Sequence, residues 1–376
     1  MLELIMKKLL LISGLFCAST AIHAQNFNCT TVAQREVTLY AKNALPNVNT
    51  LKTIRIIVHF PLKTNGTYNF TETKDCNGKV SNDNGYWFAE KFIERANYCL
   101  QHNVKMRQRL SYRDIDSIPI NIQFELSGVV FHRNDNLFDE SNATTTGAFI
   151  TMHNQATKNI DPSTLEDAIH VFLYKYKGEW GYGRADLPGN VCVVSGVDMV
   201  YNNYIDSNRN DWWFDGRIVR FALHEIGHCL SLKHPKYNYR DKNDSRNYTY
   251  DDDCYDTPTF KELINDGFED PCVWNGEKSS NNVMDYNASQ AAWTPDQIEL
   301  VHKNIAQRKY LYPNLFKTNT STVTGYINQG NKVVIAKNVT AKNVTVPKDR
   351  ALYINCDEFQ TSGEFEVKLG ATLEIK

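Results

Sequence analysis

The chain has 376 residues, of which 42% are hydrophobic and 22% are charged, and its formal net charge is -2. This length and apolar content are sufficient for one large domain or two smaller ones. A charge this close to neutral lacks the basic surplus with which proteins attract nucleic acids or anionic membranes. We therefore expect a globular protein whose partners are neither nucleic acid nor a membrane surface.

Residues 1–24 have the form of a secretory signal peptide. Lys7 and Lys8 precede an apolar run over residues 9–18, small residues follow, and Ala24 is a suitable last residue before cleavage. The run is shorter than the roughly 20 residues that a membrane-spanning helix needs, and no later segment is long and apolar enough. We expect a secreted or cell-surface protein with no membrane span.

The rest of the chain divides into three regions that differ in composition and in hydrophobic pattern. Residues 25–50 are polar and weakly patterned, as expected of a pro-segment or an N-terminal arm. Residues 51–317 carry alternating strand and helix signals and form the predicted main domain. Residues 318–376 show short apolar alternations, and residues 336–340 repeat at 341–345. This last pattern predicts a small β-rich region, either a solenoid-like stack or extra strands on the main domain.

Hydrophobic periodicity predicts both strands and helices within the second region. In chain order they are a strand at 53–60, a helix at 85–103, strands at 118–126, 168–176 and 191–195, and helices at 217–232 and 294–309. The mixture indicates an α/β (α+β) domain with a mixed sheet, followed by the all-β C-terminal appendage.

The chemistry is concentrated in an eleven-residue segment that begins at His224 and reads His-Glu-Ile-Gly-His-Cys-Leu-Ser-Leu-Lys-His. On a helix, His224 and His228 lie one turn apart on the same face and can bind one Zn²⁺. Glu225 lies beside the metal, where it can take a proton from a metal-activated water and pass it to the leaving amine. His234 supplies a third ligand if the helix ends near Ser231 and the chain turns back.

Two questions remain open at this point, the third ligand of the metal and the role of a downstream acidic run. The five-residue pattern His-Glu-x-x-His occurs in many helices, and the third histidine is what makes this one specific for metal. An acidic third ligand such as Glu262 is the alternative to His234. Downstream, Asp251, Asp252 and Asp253 form either a Ca²⁺ site or a solvated acidic loop.

The segment resembles the zinc signature of the metzincin proteases. Asn-Asn-Val-Met-Asp-Tyr at 281–286 resembles their methionine-containing turn, and within the metzincins the order of motifs is similar to that of the pappalysin (cytophagalysin) peptidases. That order is Cys254, Asp-Thr-Pro at 256–258, Cys272, the methionine turn, and Thr-Pro at 294–295. The resemblance implies a metzincin-like catalytic domain that hydrolyses internal peptide bonds of proteins bound in extended form.

The same resemblance implies roles for further residues. Met284 would form an apolar floor under the zinc ligands, and the hydroxyl of Tyr286 would stabilise the oxyanion of the tetrahedral intermediate. Cys254 and Cys272 would form a disulfide bond, and Val191–Ser195 would be the edge strand that pairs with substrate.

One position departs from the family pattern, which has glycine where this chain has Ser231. Glycine eases the turn that returns the third histidine, and serine is strained there if its φ is positive.

Cysteine usage agrees with export. Cleavage after Ala24 removes Cys17 and leaves eight cysteines, an even number that suggests disulfides, with buried free thiols as the alternative for any one of them. Cys29 suits either a disulfide or a ligand that caps zinc while a pro-segment remains. The functional prediction is a secreted zinc metalloendopeptidase. The alternative is a non-enzymatic adhesion protein that binds through its β-rich tail, against which the intact Glu225 argues.

Overall fold

A computed structural model of the chain describes most of it from residue 29 onward. The described residues are 29–32, 48–49, 51–107, 114–139, 146–158, 168–175, 183–235, 252–257, 280–285, 290–311, 318–327, 331–356 and 358–375. The predicted signal peptide lies outside them. Within these ranges, no helix has the length and apolarity that crossing a membrane requires.

A mixed six-stranded sheet forms the centre of the main domain. The strands before residue 200 are β1 (Cys29–Val32), β2 (Lys52–Leu62), β3 (Met106–Arg107), β4 (Asp114–Ile115), β5 (Ile122–Arg133), β6 (Ile169–Tyr174), β7 (Gly183–Asp186) and β8 (Val191–Ser195). Strands β3 and β4 pair separately, and the others lie in the order β1-β7-β8-β6-β2-β5. β2, β5, β6 and β8 are parallel, β7 is antiparallel to β8, and β1 runs parallel to β7 on its far side.

Helices cover the sheet. They are α1 (Gly85–Gln101), α2 (Asp135–Phe138), α3 (Thr146–Lys158), α4 (Val197–Asp206), α5 (Arg220–Cys229) and α6 (Pro295–Leu311). The predicted helix at 85–103 is confirmed as α1. The side chain of Asn84 accepts hydrogen bonds from the backbone N–H groups of Tyr86 and Trp87, which satisfies two donors that the first turn leaves unpaired.

The two faces of the sheet are covered by different elements. Apolar side chains of β2 such as Ile54 and Val58 belong to one large core together with α1 and α5. On the opposite face, Phe172 of β6 packs with Phe149 of α3. Because both faces are covered, every residue of β6 and β8 is buried. The α/β prediction with a mixed sheet is confirmed.

The predicted helix at 217–232 starts earlier and ends sooner than expected. A π-helical turn, Phe214–Val219, leads directly into α5. Asp215 lies inside this turn. Its carboxylate accepts two hydrogen bonds from the guanidinium of Arg95 on α1, at 2.7 and 2.5 Å. The helix ends at Cys229 because Leu230 and Ser231 leave helical geometry.

The helix predicted at 294–309, after the methionine turn, is confirmed as α6. Thr294 Oγ1 accepts from the N–H of Gln297 at 3.3 Å, and the Gln297 side chain accepts from the N–H of Thr294 at 3.2 Å. This reciprocal capping box, followed by Pro295 in the first turn, begins α6.

The described part of the C-terminal region is built from strands, as predicted. These are β9 (Thr318–Tyr326), β10 (Asn331–Val346), β11 (Ala351–Asn355), β12 (Glu358–Val367) and β13 (Thr372–Ile375). All of their pairings are parallel, and they enclose a small core of their own. The region also contacts the main sheet, because Ala351 and Tyr353 cluster with Ile57, Val130 and Ala168.

The expectation that Val191–Ser195 is the edge strand is wrong. That segment is β8, which lies between β6 and β7 and pairs with both. The next strand in the sheet, on the side of β8 away from β6, is β7. The outer edge of β7 is where β1 pairs, with Cys29 opposite Gly183.

Candidate metal centre

Helix α5 positions the first two histidines. His224 and His228 are one turn apart, and their ring centroids are separated by 4.8 Å. Both side chains are buried, and they emerge from a helix whose opposite face carries Leu223 and Ile226 into the core. A helix fixed on its apolar side holds its polar side chains in one orientation, which a metal site requires.

The chain returns to bring in the third histidine through a Schellman motif. After the cap residue Leu230, the N–H of Ser231 donates to the carbonyl of His228 at 2.9 Å, and the N–H of Leu232 donates to the carbonyl of Gly227 at 2.9 Å. Ser231 has a φ of 81°. This is the left-handed position that glycine usually occupies in such a motif, so the serine is strained there.

Three imidazole nitrogens converge where the turn ends. The Nε2 atom of His234 lies 3.1 Å from Nε2 of His224 and 2.9 Å from Nε2 of His228. These three are the only group of metal-ligating side chains found among the described residues, and their ligand atoms lie within 4.8 Å of one another. His234 is 4% exposed, so all three histidine side chains are buried.

Backbone carbonyls fix the tautomer of two of these rings. Nδ1 of His224 lies 2.7 Å from the carbonyl of Val283, and Nδ1 of His228 lies 2.7 Å from the carbonyl of Leu232. A carbonyl can only accept, so each Nδ1 carries the proton and each Nε2 presents a lone pair to the others.

The protonation state agrees with this arrangement. Burial lowers the pKa of His224 to about 4 and lowers the pKa of His228 well below its ordinary value. Neutral imidazoles whose lone pairs face one another at hydrogen-bond distance repel unless a cation lies among them. The donor set therefore fits a divalent metal such as Zn²⁺, which nitrogen ligands of this number and type favour.

The methionine turn lies against the helix that carries the ligands. Met284 is fully buried, and its sulfur would lie 2.7 Å from a Cβ at Gly227. The Asn282 side chain holds the turn, because its Oδ1 accepts a hydrogen bond from the N–H of Met284 at 2.8 Å. Its Nδ2 also donates to Oε1 of Gln297 at 2.9 Å, and its Oδ1 accepts from Nε2 of Gln297 at 3.0 Å. The capped helix α6 thus supports the turn that carries Val283 and Met284.

Glu225 follows His224 in α5, and its side chain lies against strand β7. It is 2% exposed, and its side chain, carboxylate included, occupies the space where a Cβ at Gly183 would lie. A buried carboxylate beside a nitrogen ligand cluster is placed to exchange protons with a group bound there. Sequence reasoning named Glu225 but not Gly183; a glycine beginning a strand was the signal that could have found it.

Several predicted site residues lie outside the described residues. They are Tyr286, Cys272, Asp251 and the alternative ligand Glu262. Cys254 is buried, and its pairing with Cys272 stays a prediction. Among the cysteines whose side chains the structure describes, which are Cys76, Cys99, Cys192, Cys229, Cys254 and Cys356, no disulfide bond forms, although the thiols of Cys192 on β8 and Cys229 on α5 contact each other.

The described aspartates of the acidic loop have partners within the chain. Asp252 accepts from Thr257 Oγ1 at 2.6 Å and from the N–H of Cys254 at 3.2 Å, and burial raises its pKa to about 7. Asp253 pairs with Lys233 at 2.9 Å. The described residues therefore give the calcium expectation no support.

The fold and the histidine site define a metallopeptidase. Residues 181–306, which include the histidine segment and Met284, match the model of the peptidase family M43, whose description is pregnancy-associated plasma protein-A. The predicted resemblance to the pappalysin metzincins is thereby confirmed, and the enzyme reading is favoured over the adhesion alternative. No curated protein sequence matches the chain.

Two solved structures are similar to the chain at low identity. One is mature mirolysin from Tannerella forsythia in complex with a cleaved peptide, with 13% identity, 71% of this chain and 99% of that chain covered, and a TM-score of 0.35. The other is mirolysin in complex with compound 9, with 14% identity, coverages of 67% and 91%, and a TM-score of 0.31.

Proposed function

We propose that this metallopeptidase is an exported zinc endopeptidase whose ligands are His224, His228 and His234 and whose general base is Glu225. The observation that carries the proposal is the convergence of three imidazole Nε2 atoms beside a buried carboxylate. When bound there, zinc supplies Lewis acidity that polarises the scissile carbonyl and makes a water molecule a nucleophile at neutral pH.

The side chains of the chain then carry the proton. The Glu225 carboxylate accepts a proton from the attacking water and returns it to the nitrogen of the leaving amine. The hydroxyl of Tyr286 donates to the oxyanion as the carbonyl carbon becomes tetrahedral. The buried thioether of Met284 keeps the space under the ligands apolar and excludes competing donors. No covalent intermediate with the enzyme is required.

The proposed substrate site is the outer edge of β7. An extended peptide that pairs with a sheet edge is held by main-chain hydrogen bonds, which do not need a chain terminus. Binding of this kind suits cleavage of internal bonds. Because β7 begins at Gly183, against which Glu225 rests, a peptide on this edge passes close to the base.

The pairing of β1 with that edge supports a pro-segment within residues 25–50. Cys29–Val32 runs parallel to β7 along the edge that a substrate would need. We propose that the segment lowers activity until it is removed. A chain beginning at residue 51 should then digest peptides faster than one beginning at residue 25. Equal rates would contradict the pro-segment while leaving the zinc site untouched.

The central experiment is digestion of casein with and without a chelator, followed by restoration with zinc. Glu225→Gln keeps the shape of the side chain and removes its basicity, so it should retain zinc and lose activity by a factor on the order of a hundred or more. Glu299→Gln changes an exposed glutamate and serves as the matched control. Undiminished turnover in Glu225→Gln would remove this residue from the mechanism.

A further inference from the structure

Gly183 is an unusual residue for its place in the sheet. It opens β7, where glycine is disfavoured because it has no side chain to pack and loses more backbone entropy than other residues. Its φ is not positive, unlike that of Gly196 or Gly325. Backbone conformation therefore does not demand glycine at this position, and the reason must be the space around it.

That space is filled by the side chain of Glu225. A Cβ at position 183 would stand 2.6 Å from both Cγ and Cδ of Glu225, and its carboxylate oxygen would be nearer still. Carbon atoms in contact need about 3.5–4.0 Å. An alanine here is accommodated only if Glu225 moves by about an ångström.

Glu225 has no simple way to retreat. It lies within α5 directly after the ligand His224 and three residues before His228, and it is 2% exposed. A shift of the helix would displace both ligands, whose rings are already held by the carbonyls of Val283 and Leu232. The side chain itself must therefore rotate, and that moves the carboxylate.

The same glycine lies at a defined point along the proposed substrate edge. On its inner side it pairs with Val194 of β8, and on its outer side it lies opposite Cys29 of β1. An extended peptide in the place of β1 would therefore pass the β7 backbone where that backbone touches the base.

We propose that Gly183 is a positioning residue for the reaction: its lack of a side chain lets the Glu225 carboxylate lie against β7, where an extended substrate passes. The inference rests on the proposed function of Glu225. It predicts that a single methyl group on β7 impairs catalysis through the base, without contacting the metal and without removing a hydrogen bond of the sheet.

The test is Gly183→Ala in the full chain. Because a displacement of about 1 Å can cost on the order of a hundredfold in rate, kcat should fall by about that factor. KM should change by less than about threefold and zinc should remain at one per chain. The acid limb of the pH profile should also shift, because the carboxylate has a new environment. A folded variant with unchanged kcat and an unchanged pH profile overturns the proposal.

A matched control separates positioning from general steric damage. Gly85→Ala introduces a comparable clash far from the base, because its Cβ would stand 2.5 and 2.7 Å from atoms of the Phe131 ring. This variant should lower the melting temperature while its folded fraction keeps the wild-type kcat and pH profile. If Gly85→Ala and Gly183→Ala lose kcat equally, the role of Gly183 is merely structural.

A double-mutant cycle identifies the partner. Glu225→Asp withdraws the carboxylate, so Gly183→Ala should cost much less in that background than in the wild type; equal costs contradict the proposal. If Gly183→Ala alone is insoluble, Gly183→Ala/Glu225→Ala should be soluble and bind zinc, because the clash is gone. A double variant that stays insoluble also contradicts it.

The outcomes for the two proposals are distinguishable. Full activity in Glu225→Gln defeats the proposed function and this inference together. Loss of activity in Glu225→Gln with full activity in Gly183→Ala defeats only the inference.

Discussion

Met284 lies so close to Gly227 that a Cβ on this glycine would stand 2.7 Å from the methionine sulfur. Gly227 is the residue before the ligand His228, and Met284 follows Val283, whose carbonyl orients His224. Through this contact the ligand helix and the methionine turn meet without a gap, and the geometry of one depends on that of the other.

Gly227→Ala should therefore force the two elements apart. Overpacking of a filled core costs about 1–3 kcal/mol of unfolding free energy, and the shift should also weaken zinc binding because it moves Val283 and His224. Denaturation in urea and a zinc titration measure the two effects. Met284→Leu conserves volume and is the control, with an expected cost under about 1.5 kcal/mol. Wild-type zinc affinity in Gly227→Ala would show that the contact between Gly227 and Met284 does not control the position of the histidines.

Ser231 offers a test of backbone strain. Its φ of 81° costs about 1–2 kcal/mol in a residue with a side chain, but its hydroxyl accepts a hydrogen bond from Asn304 at 2.5 Å. Ser231→Gly removes both the strain and the bond, so its unfolding free energy should be unchanged or slightly higher. Ser231→Ala keeps the strain and loses the bond, so it should be less stable. The reverse order of stabilities would contradict this account.

Acid should destabilise the protein through histidines away from the metal centre. His59 is buried between two other histidines: its Nδ1 lies 2.8 Å from Nε2 of His132, and its Nε2 lies 2.9 Å from Nδ1 of His170. Burial and the neighbouring histidines lower the pKa of His59 well below its usual value, and burial lowers that of His132 to about 3. Burial also lowers the pKa of His153 to about 4, and Arg184 adds to this.

The direction follows from the depressed folded-state values. Above an unfolded pKa near 6.5 the rings are neutral in both states, so the folded protein has its full stability. As the pH falls from about 6.5 towards 4, the unfolded chain binds protons that the folded chain does not. Each such histidine then removes about 1.4 kcal/mol per pH unit. Between pH 6.5 and 4, the urea midpoint of His132→Gln should fall less steeply with decreasing pH than that of the exposed-site control His102→Gln. Parallel curves would contradict this assignment.

Removal of the C-terminal region should destabilise the catalytic domain. Ala351 and Tyr353 cover Ile57, Val130 and Ala168 on the central sheet. A chain that ends at residue 317 exposes this apolar surface, and Tyr353→Ala should reproduce part of the effect, at about 3 kcal/mol. Tyr326→Ala changes an exposed tyrosine of the same region and is the control. A truncated chain as stable as the full one would show that the contact contributes nothing.

The sequence was sufficient to predict the elements and side chains whose arrangement follows from a local spacing of residues. The stripe that includes Ala89, Phe92 and Ala96 predicted α1, and the spacing of His224, His228 and His234 predicted three nitrogens that the structure brings together. These signals are local, since a helix period or a short return turn determines which side chains meet.

The edge of the sheet was misjudged for a physical reason. Val-Cys-Val-Val-Ser is apolar on both faces, as suits a strand buried on both sides, and it is the interior strand β8. Gly-Arg-Ala-Asp has little strand propensity, yet it forms β7 because it pairs with β8, which follows it closely in sequence, and with β1, which lies far upstream. The contact of Gly183 with Glu225 is equally non-local, and no period in the sequence encodes it.

The zinc content of His234→Ala tests the central claim most directly, with His102→Ala as an exposed-histidine control. The wild type and the control should each bind one zinc per chain and digest casein. His234→Ala should lose tight zinc binding and activity, because two protein ligands remain where catalytic zinc has three. Tight, stoichiometric zinc with full activity in His234→Ala would contradict the three-histidine site and point to a carboxylate such as Glu262.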